Sequence, residues 1–520
     1  MPWGAWFYMS EGFTHIWTSL QLRTFQPDDI PPIASPVPSS GMAKQRPWIL
    51  YFPDFKSLRL TCKALGEISP FSSSRMFLSA SSLNIQVFRA VADHPKFRPE
   101  IREIIWDDAR FVLAPLTWES LHLSIDPELM EIDAKEGCPV WFTEECKANR
   151  YRMKHRKYCD VDRPDHIARQ HKMDAQMPLK ACWKYYQELW DNQTFVIGSE
   201  DDEKAFLYGL ERVPRLRKVT VTPAAHGWLF APLYGTPMIR VFPYGFNYPI
   251  PRAWHCDPDD SQIVEPLPWS EAIEDYKELC RGARIVLRLL SHAEKHNVSE
   301  LSFDSKQLFT RLNFSITDRP CEEYNKLTAI MKRPGFRRIH LCLLTGSSGY
   351  WTGFQSGLFK EAISLAKELT NVHLSTTFDN GPGSLIRYPP IPLKEVLPSK
   401  EWPNLSHLTL SRFSVDTSEL LDTLKLAPSS LQSRDLKCIE FPFGEMCLTG
   451  LLERMREELD WANRDQPLKP TVTIAMEGHR RWPGRYTQPE GYGTNHALFE
   501  AEYTRPNVNF QDLKKLRIIR

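Results

Sequence analysis

The feature that most constrains this chain is a six-residue pattern, φ-x-x-φ-x-φ with φ apolar, that recurs along its length. It stands at Ile101/Ile104/Trp106, Leu216/Val219/Val221, Val298/Leu301/Phe303 and Phe336/Ile339/Leu341. It returns at Leu369/Val372/Leu374, Leu405/Leu408/Leu410, Leu436/Ile439/Phe441 and Leu513/Leu516/Ile518. Helical stretches precede several copies. Asp201 to Leu210 leads to Leu216, Phe359 to Leu369 runs into Val372, and Ser418 to Leu426 comes before Leu436. Glu271 to His296 precedes Val298 and sets Ile273, Tyr276, Cys280, Ala283, Leu287 and Leu290 on one helical face. Helix, short turn and strand in repetition imply parallel strands joined by helical crossovers. No single unit can bury its own apolar face, so neighbours must stack.

The pattern matches the strand signature of leucine-rich repeats. From Ile101 to Leu436 the copies begin 115, 82, 38, 33, 36 and 31 residues apart, and the later spacings approach the ~20–29 residues of that repeat. The expected fold class is therefore α/β, an irregular leucine-rich-repeat-like solenoid over residues 80–476. An α/β domain of the doubly wound type competes with it. The solenoid is favoured because no Gly-rich phosphate loop follows any strand. Residues 113–200 and 222–270 interrupt the series, the second rich in Pro, Gly and aromatics (Phe230, Tyr234, Phe242, Tyr244, Phe246, Tyr248, Trp254). Insertions of this kind map to one face, often the binding face. Residues 477–520 read as mostly irregular, with a possible last strand at 513–518.

With 42% hydrophobic and 25% charged residues the chain can bury a sizeable core. A net charge of +1 gives no bulk attraction to nucleic acid or to a membrane. Eleven cysteines without a Cys-x-x-Cys fit a reducing compartment better than a disulfide framework. Residues 1–20 lack the basic start and apolar core of a signal peptide. No run approaches the ~20 apolar residues that span a bilayer. The expected location is the cytoplasm, the nucleus or both. Residues 1–47 read as an extension, with six prolines between Pro27 and Pro47 marking a linker.

Candidate chemistry is sparse. Cys138, Cys146, His155, Cys159, His166, His171 and Cys182 are suitable zinc-ligand types, but no cysteine pair has the tight spacing of structural sites. They are read as scattered residues, with no metal or other cofactor expected. Lys147, Arg150, Arg152, Lys154, Arg156 and Lys157 have few aromatics among them, which suits a solvated helix face rather than a nucleic-acid groove. Gly346-Ser347-Ser348-Gly349 is a Gly/Ser loop and not a nucleophile elbow. An enzyme would need convergent polar side chains in one deep pocket, and none is defined by the sequence. The chain is expected not to be an enzyme.

The stretch Tyr51 to Gly66 carries the most specific wording. Asp54 stands at a helix N-cap after Pro53. Phe55, Leu58, Cys62 and Leu65 share one helical face, Lys56, Arg59 and Lys63 lie on a flank, and Gly66 ends the helix. Phe52-Pro53 followed by Leu58-Arg59-Leu60-Thr61-Cys62-Lys63-Ala64-Leu65 resembles the second half of an F-box. Residues 48–79 are read as a partial, N-terminal F-box-like helical segment, and the rest of the chain resembles fungal F-box proteins with degenerate leucine-rich repeats. The family's Leu-Pro-x-Glu opening does not occur before Tyr51. The resemblance implies a substrate-recognition adaptor of a Skp-cullin-type ubiquitin ligase. Phe52, Pro53, Phe55, Leu58, Cys62 and Leu65 would face the Skp-type adaptor, and the solenoid would bind a protein substrate that the sequence does not identify. The alternative is a solenoid interaction module without ligase docking.

Overall fold

The computed structural model describes residues 74–114, 127–160, 164–255, 263–293, 295–306, 308–346, 352–378, 390–437, 439, 448–459, 471–478, 497–503 and 517–519. The chain divides into a unit of residues 1–70 and a unit of residues 71–520. The extension at 1–47 and the F-box-like residues Phe52, Pro53, Phe55, Leu58, Cys62 and Leu65 lie outside the described residues.

Among the described residues, twelve strands form one sheet. They are β1 (Arg75–Ser79), β2 (Glu103–Asp107), β3 (Lys218–Thr222), β4 (Glu300–Phe303), β5 (Leu312–Asn313) and β6 (Arg338–Leu344). The series continues with β7 (Asn371–Thr376), β8 (His407–Ser411), β9 (Ser433–Lys437), β10 (Thr471–Gly478), β11 (Ala497–Tyr503) and β12 (Arg517–Ile519). Strand order follows chain order, except that β5 pairs with β6 off the main path. Pairing is parallel from β1 to β10, and β11 and β12 add antiparallel at the end.

The longer helices are α1 (Ser82–Asp93), α2 (Val140–Asp160), α3 (Pro164–Asp174), α4 (Leu179–Ser199) and α5 (Asp201–Arg212). After them come α6 (Arg281–His292), α7 (Glu322–Met331), α8 (Leu358–Ser364), α9 (Thr417–Lys425) and α10 (Leu448–Glu458). Right-handed crossovers that always step the same way along a sheet bring their helices onto the same face. That face is apolar because strand side chains alternate. One row across it reads Leu78, Trp106, Val221, Phe303, Leu341, Leu374, Leu410 and Leu436, all buried. Trp106 meets Phe206 of α5 edge-on at 5.6 Å. The resulting core is continuous from Met76 to Val472.

The structure corrects the expected leucine-rich-repeat solenoid. The chain forms a mostly parallel α/β sheet with helices, Rossmann-like in its strand–helix–strand connections. The spacing of the later strands had imitated a repeat. A solenoid stacks near-equal units that touch only their neighbours, whereas these crossovers are unequal. Among the described residues, the β2–β3 crossover holds four long helices, α2 to α5, and the β6–β7 crossover holds α8 as its one longer helix. The residues read as an insertion at 113–200 contribute a second core, in which Phe142, Cys146, Cys182 and Tyr186 pack with Phe246 and Tyr248 of the aromatic segment.

Smaller expectations also shift. The stretch 271–296, read as continuous helix, is a short helix at Glu274–Glu278 followed by α6. The copy placed at Leu436/Ile439/Phe441 is out of register, because β9 turns Arg434 and Leu436 inward after Leu431. Within the C-terminal segment read as mostly irregular, residues 497–503 form β11, and β12 at residues 517–519 overlaps the possible last strand placed at 513–518. Within the segment read as F-box-like, residues 75–79 form β1.

Candidate functional site on the polar face of the sheet

The face opposite the helices is built from the strand positions between the apolar ones, and it is polar. Its first row runs Arg75, Glu103, Lys218, Glu300, Arg338, Asn371 and His407 across seven strands. Charge alternates over its first five positions, Arg75 to Arg338. Glu103 is buried, yet its carboxylate lies 2.7 Å from Arg75 Nε and 2.9 Å from Lys218 Nζ. Burial alone would raise the Glu103 pKa. Lys218, the Thr220 hydroxyl and Arg75 outweigh burial and hold it below the usual carboxylate range.

The second row runs Thr220, Ser302, His340, His373, Thr409 and Asp435. The His340 and His373 rings stack at 3.9 Å and 8°. A groove of about 330 Å³ opens here, lined among others by Glu300, Arg338, His340, His373, His407 and Asp435. Over β1 and β2 the same face is covered by the aromatic segment, where Tyr234 packs against Phe77 and Ile105.

Three side chains converge at the edge of the groove. His340 and Cys342 are two apart on β6 and so project from the same face. Asp304 follows the last residue of β4, and the parallel pairing of Phe303 with Leu341 brings it beside Cys342. One ligand-type atom of each of Asp304, His340 and Cys342 lies within 4.8 Å of the others. His340 Nε2 is 3.5 Å from Cys342 Sγ, and His340 Nδ1 is 3.1 Å from Ser302 Oγ. Asp304 accepts the Lys306 backbone N–H at 2.8 Å and pairs with Lys306 Nζ at 2.8 Å. Lys306 holds a left-handed φ of 56° to close that turn.

Electrostatics follow from this packing. Burial raises the Cys342 thiol, but His340 beside it, with Arg311, brings it down to about 7. Burial would raise Asp304, and His340 and Lys306 hold it below its ordinary value instead. Burial and then the neighbouring His340 push His373 well below the imidazole range.

A second buried polar cluster ties the aromatic segment to the sheet. Asp107 Oδ1 accepts the Ala109 N–H at 3.1 Å, and its Oδ2 faces His226 Nε2 at 4.0 Å. His226 Nδ1 pairs with the Tyr248 hydroxyl at 3.0 Å. Burial pushes Asp107 up to about 8 and, with Arg252 close by, pushes His226 down to about 3. Asp108 accepts Trp254 Nε1 at 2.9 Å and the Gly282 N–H at 2.7 Å, at the start of α6. It acts as a joint between three elements.

The zinc-type residues singled out from the sequence are not brought together as a metal set among the described residues. Cys138, Cys146 and Cys182 are buried in the second core. Cys138 pairs with the Thr143 hydroxyl, Cys146 donates to the Asn247 carbonyl and Cys182 to the Met177 carbonyl. His171 lies on α3, and nothing is described of the side chains of His155, Cys159 and His166. The basic stretch 147–157 lies on α2, where Lys147 pairs with Glu144 and Arg150 donates to Gln176. Gly346 adopts φ +74°, and a Cβ there would meet Glu265 Oε2 at 1.9 Å, so this position requires glycine. The residues after it, 347–350, lie outside the described ones.

His340 and Cys342 stand two apart, and the sequence gives no local sign that Asp304, 36 residues before His340, joins them. Aligning the copies Leu301/Phe303 and Ile339/Leu341 and reading the residues between and after their apolar positions is the signal that would have found them.

No family model matches the chain, and no curated protein matches it. Among the described residues, no helix is long and apolar enough to cross a membrane.

Proposed function

We propose that this chain is a substrate-recognition adaptor of a Skp-cullin-type ubiquitin ligase, working in the cytoplasm or nucleus. The F-box-like helix would dock through Phe52, Pro53, Phe55, Leu58, Cys62 and Leu65. A protein substrate would be read by the polar sheet face. The observation that supports the recognition half is the groove over β4–β9, where charged, imidazole and hydroxyl side chains are set in register on a rigid sheet. Such a surface offers many fixed donors and acceptors to an extended partner segment, the kind of complementarity that sets specificity at protein interfaces. The docking half is supported by the resemblance of residues 51–66 to an F-box.

The test is capture of the tagged full-length chain from cells, with mass spectrometry of what accompanies it. Skp-type adaptor and cullin are expected among the captured proteins. Arg338→Glu with His407→Glu, which puts two carboxylates in place of a guanidinium and an imidazole at the exposed mouth of the groove, is expected to lose substrate proteins while retaining the adaptor. Capture without any Skp-type adaptor rejects the ligase reading and leaves an interaction module without ligase docking.

A further inference from the structure

We propose that Asp304, His340 and Cys342 form a binding site for a zinc-class divalent ion, a site distinct from the expected docking helix. The donor set is one carboxylate oxygen, one imidazole nitrogen and one sulfur. This mixture suits zinc, which takes Cys, His and Asp ligands in a tetrahedron. The geometry agrees with that ion. Sulfur at ~2.3 Å and nitrogen at ~2.0–2.1 Å from a tetrahedral zinc stand about 3.6 Å apart. Cys342 Sγ and His340 Nε2 are 3.5 Å apart.

The surroundings orient the donors. His340 presents Nε2 to Cys342 while Nδ1 lies 3.1 Å from Ser302 Oγ. With the proton on Nδ1 donated to Ser302, the Nε2 lone pair is free to coordinate, the arrangement that fixes the tautomer of metal-bound histidines. His373 stacks on the same ring and restrains its plane. The Lys306 N–H holds Asp304 Oδ1. Asp304 and Cys342 are both buried, at 7% and 3% exposure, and all three donors stand on or next to strands of one sheet rather than on long loops.

Lys306 is the competitor. Its ammonium pairs with Asp304 Oδ2 and lies 5.4 Å from the Tyr234 ring centroid. Metal binding would move the ammonium off Asp304 Oδ2 toward Tyr234. Cys342 would coordinate as thiolate and release its proton to solvent. Three protein ligands leave a tetrahedral ion one further position, and His340 lines the groove, so that position would be taken by water from the groove side.

The experiment is titration of the purified, full-length, metal-stripped protein with cobalt(II), followed by back-titration with zinc. A bound cobalt ion is expected to show the visible bands of tetrahedral coordination and a thiolate-to-cobalt charge-transfer band, both removed by zinc. Cys342→Ser is expected to abolish the charge-transfer band, and His340→Gln to abolish tetrahedral binding. Ser302→Ala should weaken affinity ~10–100-fold by releasing the ring. Lys306→Met should strengthen it, by removing the competing cation. Wild-type protein that is folded by circular dichroism and shows no thiolate–cobalt band overturns the proposal. So does a band that survives Cys342→Ser unchanged. If Cys342→Ser does not fold, Asp304→Asn, which keeps size and shape, decides by the affinity criterion: unchanged cobalt affinity overturns the site.

Discussion

Asp107→Asn is the most informative stability variant. Asp107 ends β2, is 2% exposed, and lies between the sheet and the aromatic segment. Burial raises its pKa from 3.8 to about 8, and the neighbouring Asp108 pushes the same way. The folded chain therefore holds a proton on Asp107 that the unfolded chain gives up near pH 3.8. Stability from this proton is complete below that value and is lost as pH rises toward 8. At ~1.4 kcal/mol per pH unit, the wild type loses on the order of 5 kcal/mol across the window. That is a large share of the ~5–15 kcal/mol that holds a domain folded.

Asparagine cannot ionise. Its amide oxygen can keep the Ala109 N–H bond, and its amide nitrogen can occupy the side facing His226. Asp108, raised to about 6, and His226, lowered to about 3, keep titrating in both proteins and cancel in the difference. The variant should gain on the wild type by about 3–4 kcal/mol between about pH 5 and about pH 8. Urea unfolding followed by far-ultraviolet circular dichroism at several pH values reads this as a widening gap in midpoint at constant slope. A gap that stays constant with pH would show that Asp107 is already ionised in the fold, burial notwithstanding.

Further expectations concern other parts of the molecule. Glu103→Gln removes a carboxylate whose pKa is lowered by Lys218, Thr220 and Arg75, so it should cost about 1–3 kcal/mol at neutral pH. That cost should shrink in urea melts as pH falls below the usual carboxylate range, where the wild type loses the same charge. Leu374→Ala empties a fully buried position on the apolar face of β7 and should cost about 2–5 kcal/mol by the same measurement. Gly282→Ala would set a Cβ 2.4 Å from Trp106 Nε1 and 2.5 Å from Asp108 Oδ1, at the joint of α6, β2 and the aromatic segment. A loss of roughly 1–3 kcal/mol is expected, whereas Gly198→Ala on α4, where a Cβ meets nothing within 4 Å, should cost nothing and gain up to about 1 kcal/mol of helix propensity.

The parts of the fold that were legible are those fixed by local alternation. Ile104 and Trp106, Val219 and Val221, Leu301 and Phe303, Ile339 and Leu341, Val372 and Leu374, and Leu408 and Leu410 all face the helices, as their period of two requires. β9 was misplaced because a buried Arg434 occupies a position where the pattern demands an apolar residue. β1 went unread because Arg75–Ser79 lay inside a stretch interpreted through its resemblance to an F-box. The architecture is ambiguous in the sequence for a different reason. Spacing between strands reports crossover length, and crossovers of similar length occur in a parallel α/β sheet as well as in a repeat array. Of the Asp304, His340 and Cys342 set, the last two share a face by their spacing of two on β6, and only the β4–β6 register adds Asp304. No local spacing encodes that pairing.

Docking to a ligase through the F-box-like helix is tested most directly by one measurement. The purified full-length chain is mixed with a purified Skp-type adaptor and the dissociation constant is measured by calorimetry, beside Leu58→Asp/Leu65→Asp. Saturable binding that the double variant abolishes, with its circular dichroism unchanged, is the predicted result. No heat of binding from a folded wild-type chain, or equal binding by the double variant, would contradict the account.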